Sequence, residues 1–370
     1  MINIFEPYLN KKEIIKNINY CIENNWISSQ GKFVKKFEKS LATYHGVKYC
    51  VSTSSCTTAL HLAIKSLDLK NGDEIICPSL TFIAPANMIV LSGAKLILVD
   101  IDKDTLTIDP KKIEKKITKK TKAILVVHQF GHAADMDEIK KISRKNKLKI
   151  IEDNAESLGG SYKKKKLGTI GDVTTLSFYA NKIITTGEGG AVLTNSKKIA
   201  NRCAMLRDHG MSKKKRYKHL DLGFNYRLTN LQAAVGVSQI KNLKRILKKR
   251  NLQRIFYEKN LINDDNFYLR SFKSWTTPIH WLFTIFLKDE KKRNKLILFL
   301  KKNKIDVRPM VFPVNEALHM KKLFKSQNFP VAKKMSYAGV HLPSSTDLSK
   351  KEILLICNKV NSFFHLKKIK

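Results

Sequence analysis

The chain has 370 residues and a mass of 42.4 kDa, enough for one large domain with its own core plus a smaller one. Hydrophobic residues make up 43% and charged residues 27%, which fits a globular chain and argues against intrinsic disorder. No apolar run approaches the ~20 residues of a membrane helix. The start, Met-Ile-Asn-Ile-Phe-Glu-Pro, has no basic segment leading into an apolar one, so no signal peptide is expected and the expected compartment is the cytoplasm. Seventy basic against 31 acidic residues leave a formal charge of +39. The excess is nearly all lysine and is spread along the chain. A nucleic-acid surface would cluster charge and favour arginine, so nucleic acid is not the expected partner, and a small polyanionic substrate suits the same field.

In chain order, a strand-then-helix rhythm begins at residue 48. Lys48–Ser52 reads as a strand, and Thr57–Leu67 as a helix with Leu60, Ile64 and Leu67 on one face. Further strands are expected at Glu74–Cys77, Lys95–Val99, Ala123–His128, Lys149–Glu152, Val173–Phe178 and Ala191–Thr194, with helical stretches such as Asp109–Ile117 and Asp135–Asn146 between most of them. Asp135 followed by Glu138 reads as a capping box. Solid apolar strands such as Ile124-Leu125-Val126-Val127 predict a sheet covered on both faces. Seven strands with helical crossovers make an α/β, mostly parallel seven-stranded sheet flanked by helices. A long helix is expected over Leu231–Ile246. The expected organisation is a large domain over 1–244, including an N-terminal segment, and a smaller α+β domain over 245–370.

The six cysteines, Cys21, Cys50, Cys56, Cys77, Cys203 and Cys357, show no C-x-x-C pair, and several lie in apolar runs. They read as free thiols of a reducing compartment.

Ligands of parallel α/β sheets bind beyond the carboxyl ends of strands, so the residues there carry the functional reading. After the first strand, Ser52-Thr53-Ser54-Ser55-Cys56-Thr57-Thr58 enters a helix, as either an anion cup or an ordinary N-cap. Phe82 follows the second strand and is either a cover for a flat ring or core. Asp153 ends the strand in Ile151-Glu152-Asp153-Asn154-Ala155-Glu156, where an acid can meet a protonated ring nitrogen or cap a helix. Lys182 follows the strand ending at Phe178 and precedes Gly187-Glu188-Gly189-Gly190, a place for a Schiff-base lysine in a chain that is lysine-rich throughout. Together, a phosphate cup, an aromatic cover, an acid and a lysine are the parts of a pyridoxal 5'-phosphate site.

On these residues the chain resembles the DegT/DnrJ/EryC1/StrS sugar aminotransferases, pyridoxal phosphate enzymes of fold type I. Further matching stretches are Trp26-Ile27-Ser28-Ser29-Gln30-Gly31, Gly72-Asp73-Glu74-Ile75-Ile76 and Gly223-Phe224-Asn225-Tyr226-Arg227-Leu228. Gly131–Asp137 and Asn181–Glu188 are most similar to the branch that forms GDP-perosamine. The resemblance implies that Lys182 carries the cofactor and moves protons, Asp153 holds the ring nitrogen, Glu156 bonds near the ring hydroxyl, and Phe82 stacks on the ring. It implies further that Cys56, Thr57 and Ser177 bind the phosphate, with Asn225 supplied by the other subunit of a homodimer. Relatives often have Gly at the position of Cys56, and family dehydratases have His at that of Lys182. The implied reaction moves an amino group from L-glutamate to C4 of GDP-4-keto-6-deoxymannose, a UDP- or dTDP-linked sugar being the alternative nucleotide-sugar substrate. His128 and His132 have H-x3-H spacing, but Gly131 interrupts any helix between them, and no metal is expected. The basic runs Lys163–Lys166 and Lys213–Arg216 are expected to be solvated loops, the second near enough to Asn225 to meet a pyrophosphate.

Overall fold

The computed structural model describes residues 1–262 and 265–365. The strands are β1 (Tyr49–Thr53), β2 (Glu74–Pro78), β3 (Lys95–Val99), β4 (Thr121–Val127), β5 (Lys149–Asp153), the short pair β6 (Ser161–Tyr162) and β7 (Lys165–Lys166), then β8 (Val173–Ser177) and β9 (Gly190–Thr194). All seven expected strands lie in one seven-stranded sheet, ordered β1-β9-β8-β5-β4-β2-β3. The pairings among β8, β5, β4, β2 and β3 are parallel, whereas β9 runs antiparallel to both β1 and β8. Alternation along a strand explains the two-sided burial. Leu125 and Val127 of β4 join the core on one face with Ile75, Cys77 and Ile151, while Ile124 and Val126 join Ile76, Ile150 and Ile139 on the other.

Local chemistry sets the helix ends. Met136–Lys145 begins at Asp135, whose carboxylate accepts from the Glu138 N–H. The expected helix over Asp109–Ile117 is shorter, Pro110–Ile113 followed by a 3-10 turn at Glu114–Lys116. The stretch between β8 and β9 contains no helix, so the chain returns antiparallel, and this irregular segment carries Lys182.

The helix expected over Leu231–Ile246 is a 31-residue helix, Asn230–Asn260, opened by a Thr229–Gln232 capping box. Its later turns bury Arg250, Tyr257 and Asn260. It packs against helices Lys11–Glu23, Lys32–His45 and Lys350–Phe363. Beyond it come β10 (Phe267–Leu269), β11 (Thr276–Thr277), β12 (Phe283–Leu287), β13 (Arg308–Pro309) and β14 (Gly339–Leu342). An antiparallel sheet ordered β10-β12-β14-β13 backs a second core containing Tyr257, Ile285, Leu296 and Ile356. β11 instead pairs with β6, and with β7 they form a separate three-stranded sheet ordered β11-β6-β7.

Candidate active site

The carboxyl ends of β5 and β8 and the start of helix Cys56–Lys65 meet at one place. Ser55 is the N-cap, and its hydroxyl accepts from the Thr58 N–H at 3.1 Å while the Thr58 hydroxyl accepts from the Ser55 N–H at 3.1 Å. The N–H groups of Cys56 and Thr57, in the first turn, have no intrahelical acceptor. β9 approaches this turn so closely that a Cβ on Gly190 would lie 2.4 Å from the Ser55 carbonyl group and 2.6 Å from the Cys56 nitrogen. Only glycine fits there. Cys56 takes an ordinary helical backbone, so the Gly common in relatives is not needed for a positive φ at this position.

Asp153 is the last residue of β5 and is buried. It accepts from the Ala155 N–H at 3.0 Å and the Thr175 hydroxyl at 3.4 Å, and the Cys56 thiol lies 3.9 Å from its Oδ1. Burial pushes its carboxyl above the ordinary range. Glu156 is raised by burial too; its Oε2 accepts from the Phe130 N–H at 2.8 Å and its Oε1 lies 3.9 Å from Lys182 Nζ. Burial lowers the Lys182 amine, partly offset by Glu156, Cys56 and Asp153. Ser177 ends β8, its hydroxyl 3.5 Å from the Tyr179 N–H that donates to it.

Cys56, Asp153, Glu156 and Lys182 thus form one cluster. Phe82, past the end of β2, is 59% exposed. Asn225 is exposed, and among the described residues no hydrogen bond ties it to the cluster. Its neighbour Tyr226 accepts from the Ser54 N–H at 2.9 Å, which ties the Asn225 segment to the approach to the cup.

One wall of the site has no signal in the motifs. The Trp281 ring lies under Lys182 Nζ, 3.6 Å from amine to ring centroid, and the indole N–H donates to the Asn181 carbonyl at 2.6 Å. Phe130 stacks near-parallel to Trp281, with centroids 6.2 Å apart and planes at 12°. Trp281 reaches this place because the Ile279 N–H donates to the Gly131 carbonyl at 3.0 Å. Gly131 has φ of 82°, and a Cβ there would sit 1.7 Å from the Ile279 oxygen. The resemblance singled out Gly131, but its purpose is legible only once its distant neighbour is known.

The two histidines separate. His128 Nε2 donates to Glu152 at 2.9 Å and its Nδ1 accepts from the Ala134 N–H at 3.2 Å, whereas His132 lies between the Ala133 carbonyl and the Lys273 N–H. Among the described residues, no group of three or more His, Cys, Asp or Glu could hold a metal ion. Lys213–Arg216 are exposed.

The residues present fit pyridoxal phosphate. The cup offers N–H donors to a phosphate, Asp153 is a buried carboxylate for a ring nitrogen, and Lys182 is a largely buried amine, its side chain 13% exposed. Gln129 nearby has both amide atoms buried without a partner.

Residues 9–361 match the DegT/DnrJ/EryC1/StrS aminotransferase family. The chain is 37% identical to the GDP-perosamine synthase of Escherichia coli O157:H7, over 98% of each protein. Among solved structures it superposes on Helicobacter pylori PseC, an aminotransferase involved in the biosynthesis of pseudoaminic acid, with a TM-score of 0.93, 28% identity, and 98% and 99% of the two chains covered. The ntda protein of Bacillus subtilis, solved with bound cofactor PMP, superposes with a TM-score of 0.89 at 28% identity, covering 96% of this chain and 82% of that one. The chain is an aminotransferase that uses pyridoxal phosphate, and it belongs to the DegT/DnrJ/EryC1/StrS family.

Proposed function

We propose that the chain transfers an amino group from L-glutamate to C4 of GDP-4-keto-6-deoxymannose, giving GDP-perosamine and 2-oxoglutarate. Bound pyridoxal phosphate supplies an aldehyde for an amine and an electron sink for the carbon beside it. Lys182 bonds the cofactor at its Nζ and, when released, carries the proton to and from the sugar carbon. Burial keeps its amine below the ordinary lysine range, which makes proton loss cheap. Asp153 keeps the ring nitrogen protonated, and Glu156 bonds beside the ring hydroxyl. Cys56, Thr57 and Ser177 hold the phosphate, and Phe82 covers the ring. Exposed Asn225 completes the phosphate cup of a second subunit in a homodimer. Among the described residues the six cysteines form no disulfide, which supports action in the cytoplasm. The second core, from Tyr257 onward, supports a smaller C-terminal domain starting near residue 245.

The observation that carries the reaction is the largely buried Lys182 between Glu156 and Trp281, and the likeness to the Escherichia coli synthase carries the substrate. A charge of +39 attracts any nucleotide pyrophosphate and does not choose the base. The test compares kcat/KM for GDP-, dTDP- and UDP-linked 4-keto-6-deoxy sugars with glutamate as donor. The GDP sugar is expected to lead. A clear lead for a UDP or dTDP sugar rejects GDP-perosamine and leaves the transaminase standing. Sharing of sites is tested by mixing inactive Lys182→Ala and Asn225→Ala chains under subunit exchange. Partial return of activity is expected, and none would mean that each chain completes its own site.

A further inference from the structure

We propose that Trp281 is a positioning residue for Lys182, its indole face holding the ε-ammonium whenever Lys182 is not bonded to the cofactor. This rests on the role of Lys182 given above.

Four contacts fix the ring. Its N–H donates to Asn181, the residue before the lysine, at 2.6 Å. Phe130 lies parallel behind it. The Ile279 N–H is pinned to Gly131. Arg250, on the long helix and 3% exposed, donates Nε to the His280 carbonyl at 3.0 Å and Nη2 to the Trp281 carbonyl. A buried arginine is costly, and here its Nε and Nη2 donate to the two carbonyls that place this one ring. A plain packing role would not require the indole to be tethered beside the residue whose amine it faces.

The contact has a chemical direction. An aromatic face attracts an ammonium and not a neutral amine, more strongly when water is excluded. Burial alone favours the neutral amine. The groups facing Lys182 are the carboxylates of Glu156 and Asp153, the Cys56 thiol and the Trp281 ring, with Arg270 beyond Glu156. Through the ring, the released lysine keeps a proton to give back and stays 3.9 Å from Glu156.

The test uses the full-length holoenzyme treated with glutamate, which leaves Lys182 free. Acetylation by acetic anhydride over a pH series is read peptide by peptide by mass spectrometry, with exposed Lys197 as internal standard. Only neutral amine reacts. In Trp281→Leu, the midpoint for Lys182 is expected to fall by about one pH unit, a tenfold change in the ratio of ammonium to amine. Trp281→Phe, which keeps an aromatic face, is expected to shift less, and it serves alone if the Leu variant does not fold. The pH limb of single-turnover amination should move in the same direction. Midpoints at the wild-type value in both variants, or in Trp281→Phe when only that variant folds, overturn the proposal, even if activity drops, because lost packing lowers the rate without moving the midpoint. If Lys182→Ala keeps normal turnover, it is the catalytic reading that fails.

Discussion

Glu152 and Asp153 are adjacent on β5 and both are buried, and successive side chains of a strand face opposite sides of the sheet. Glu152 accepts from His128 at 2.9 Å and from the N–H groups of Gly168, Ile170 and Gly171 at 3.0, 2.7 and 2.5 Å. Despite burial, those bonds draw its carboxyl below the ordinary range. Asp153 has fewer and longer bonds, faces Cys56, and is raised by burial. The saturated carboxylate holds the loop before β8. The unsaturated one keeps capacity for something the chain does not itself supply. In this sheet, incomplete satisfaction marks the chemistry better than burial does.

Five experiments sharpen or break that contrast, the largest effects first. On the Asp153 side, Lys182→Ala should lower kcat by about 10³-fold or more while the melting temperature stays near wild type. Normal turnover would remove the lysine from the chemistry. Asp153→Ala should cost about 10²- to 10⁴-fold in kcat at saturating cofactor, with a smaller loss of cofactor affinity. Near-normal kcat would mean that the acid does not meet the ring.

On the Glu152 side the loss is in stability. Glu152→Gln, read by urea unfolding, should cost about 2–4 kcal/mol, since buried donors lose a charged acceptor. Its folded-state pKa is depressed, so its stabilisation is present above the unfolded value and is lost as pH falls through the folded one. The gap between wild type and variant should therefore close in acid. Asp153 has the opposite sign. Its folded pKa is raised, so keeping it ionised costs stability as pH rises above the unfolded value. Asp153→Asn should stabilise the cofactor-free chain by about 1 kcal/mol near neutral pH. A destabilised Asn variant would place Asp153 in the structural class with Glu152. An effect of similar size is expected of Gly190→Ala. Its Cβ would push the Cys56 turn away, weakening cofactor binding by about tenfold and stability by about 1–3 kcal/mol.

The large sheet was legible because its strands are short apolar runs ending at turn residues, and a sheet covered on both faces leaves that signature undiluted. The cup, Asp153 and Lys182 were legible because strand ends announce themselves in the chain. The helix from Asn230 was expected to stop at Ile246 because its next turns, Leu247-Lys248-Lys249-Arg250-Asn251, lose the apolar period. The arginine among them is buried, which no periodicity expresses. Trp281 was invisible for a related reason. It lies in Ile279-His280-Trp281-Leu282, a plain apolar run, and gains meaning only by docking on Gly131 and Asn181 from far along the chain.

The antiparallel β9 bears on how the protein is made. Among the described residues, β1 pairs with β9 alone, and β9 alone joins β1 to the rest of the sheet. A chain leaving the ribosome therefore completes β2, β3, β4, β5 and β8 while its earliest strand still has no neighbour. At about 5–20 residues per second, the wait for Gly190–Thr194 is on the order of ten seconds. Within the seven-stranded sheet, the first strand translated is the last to be locked in place.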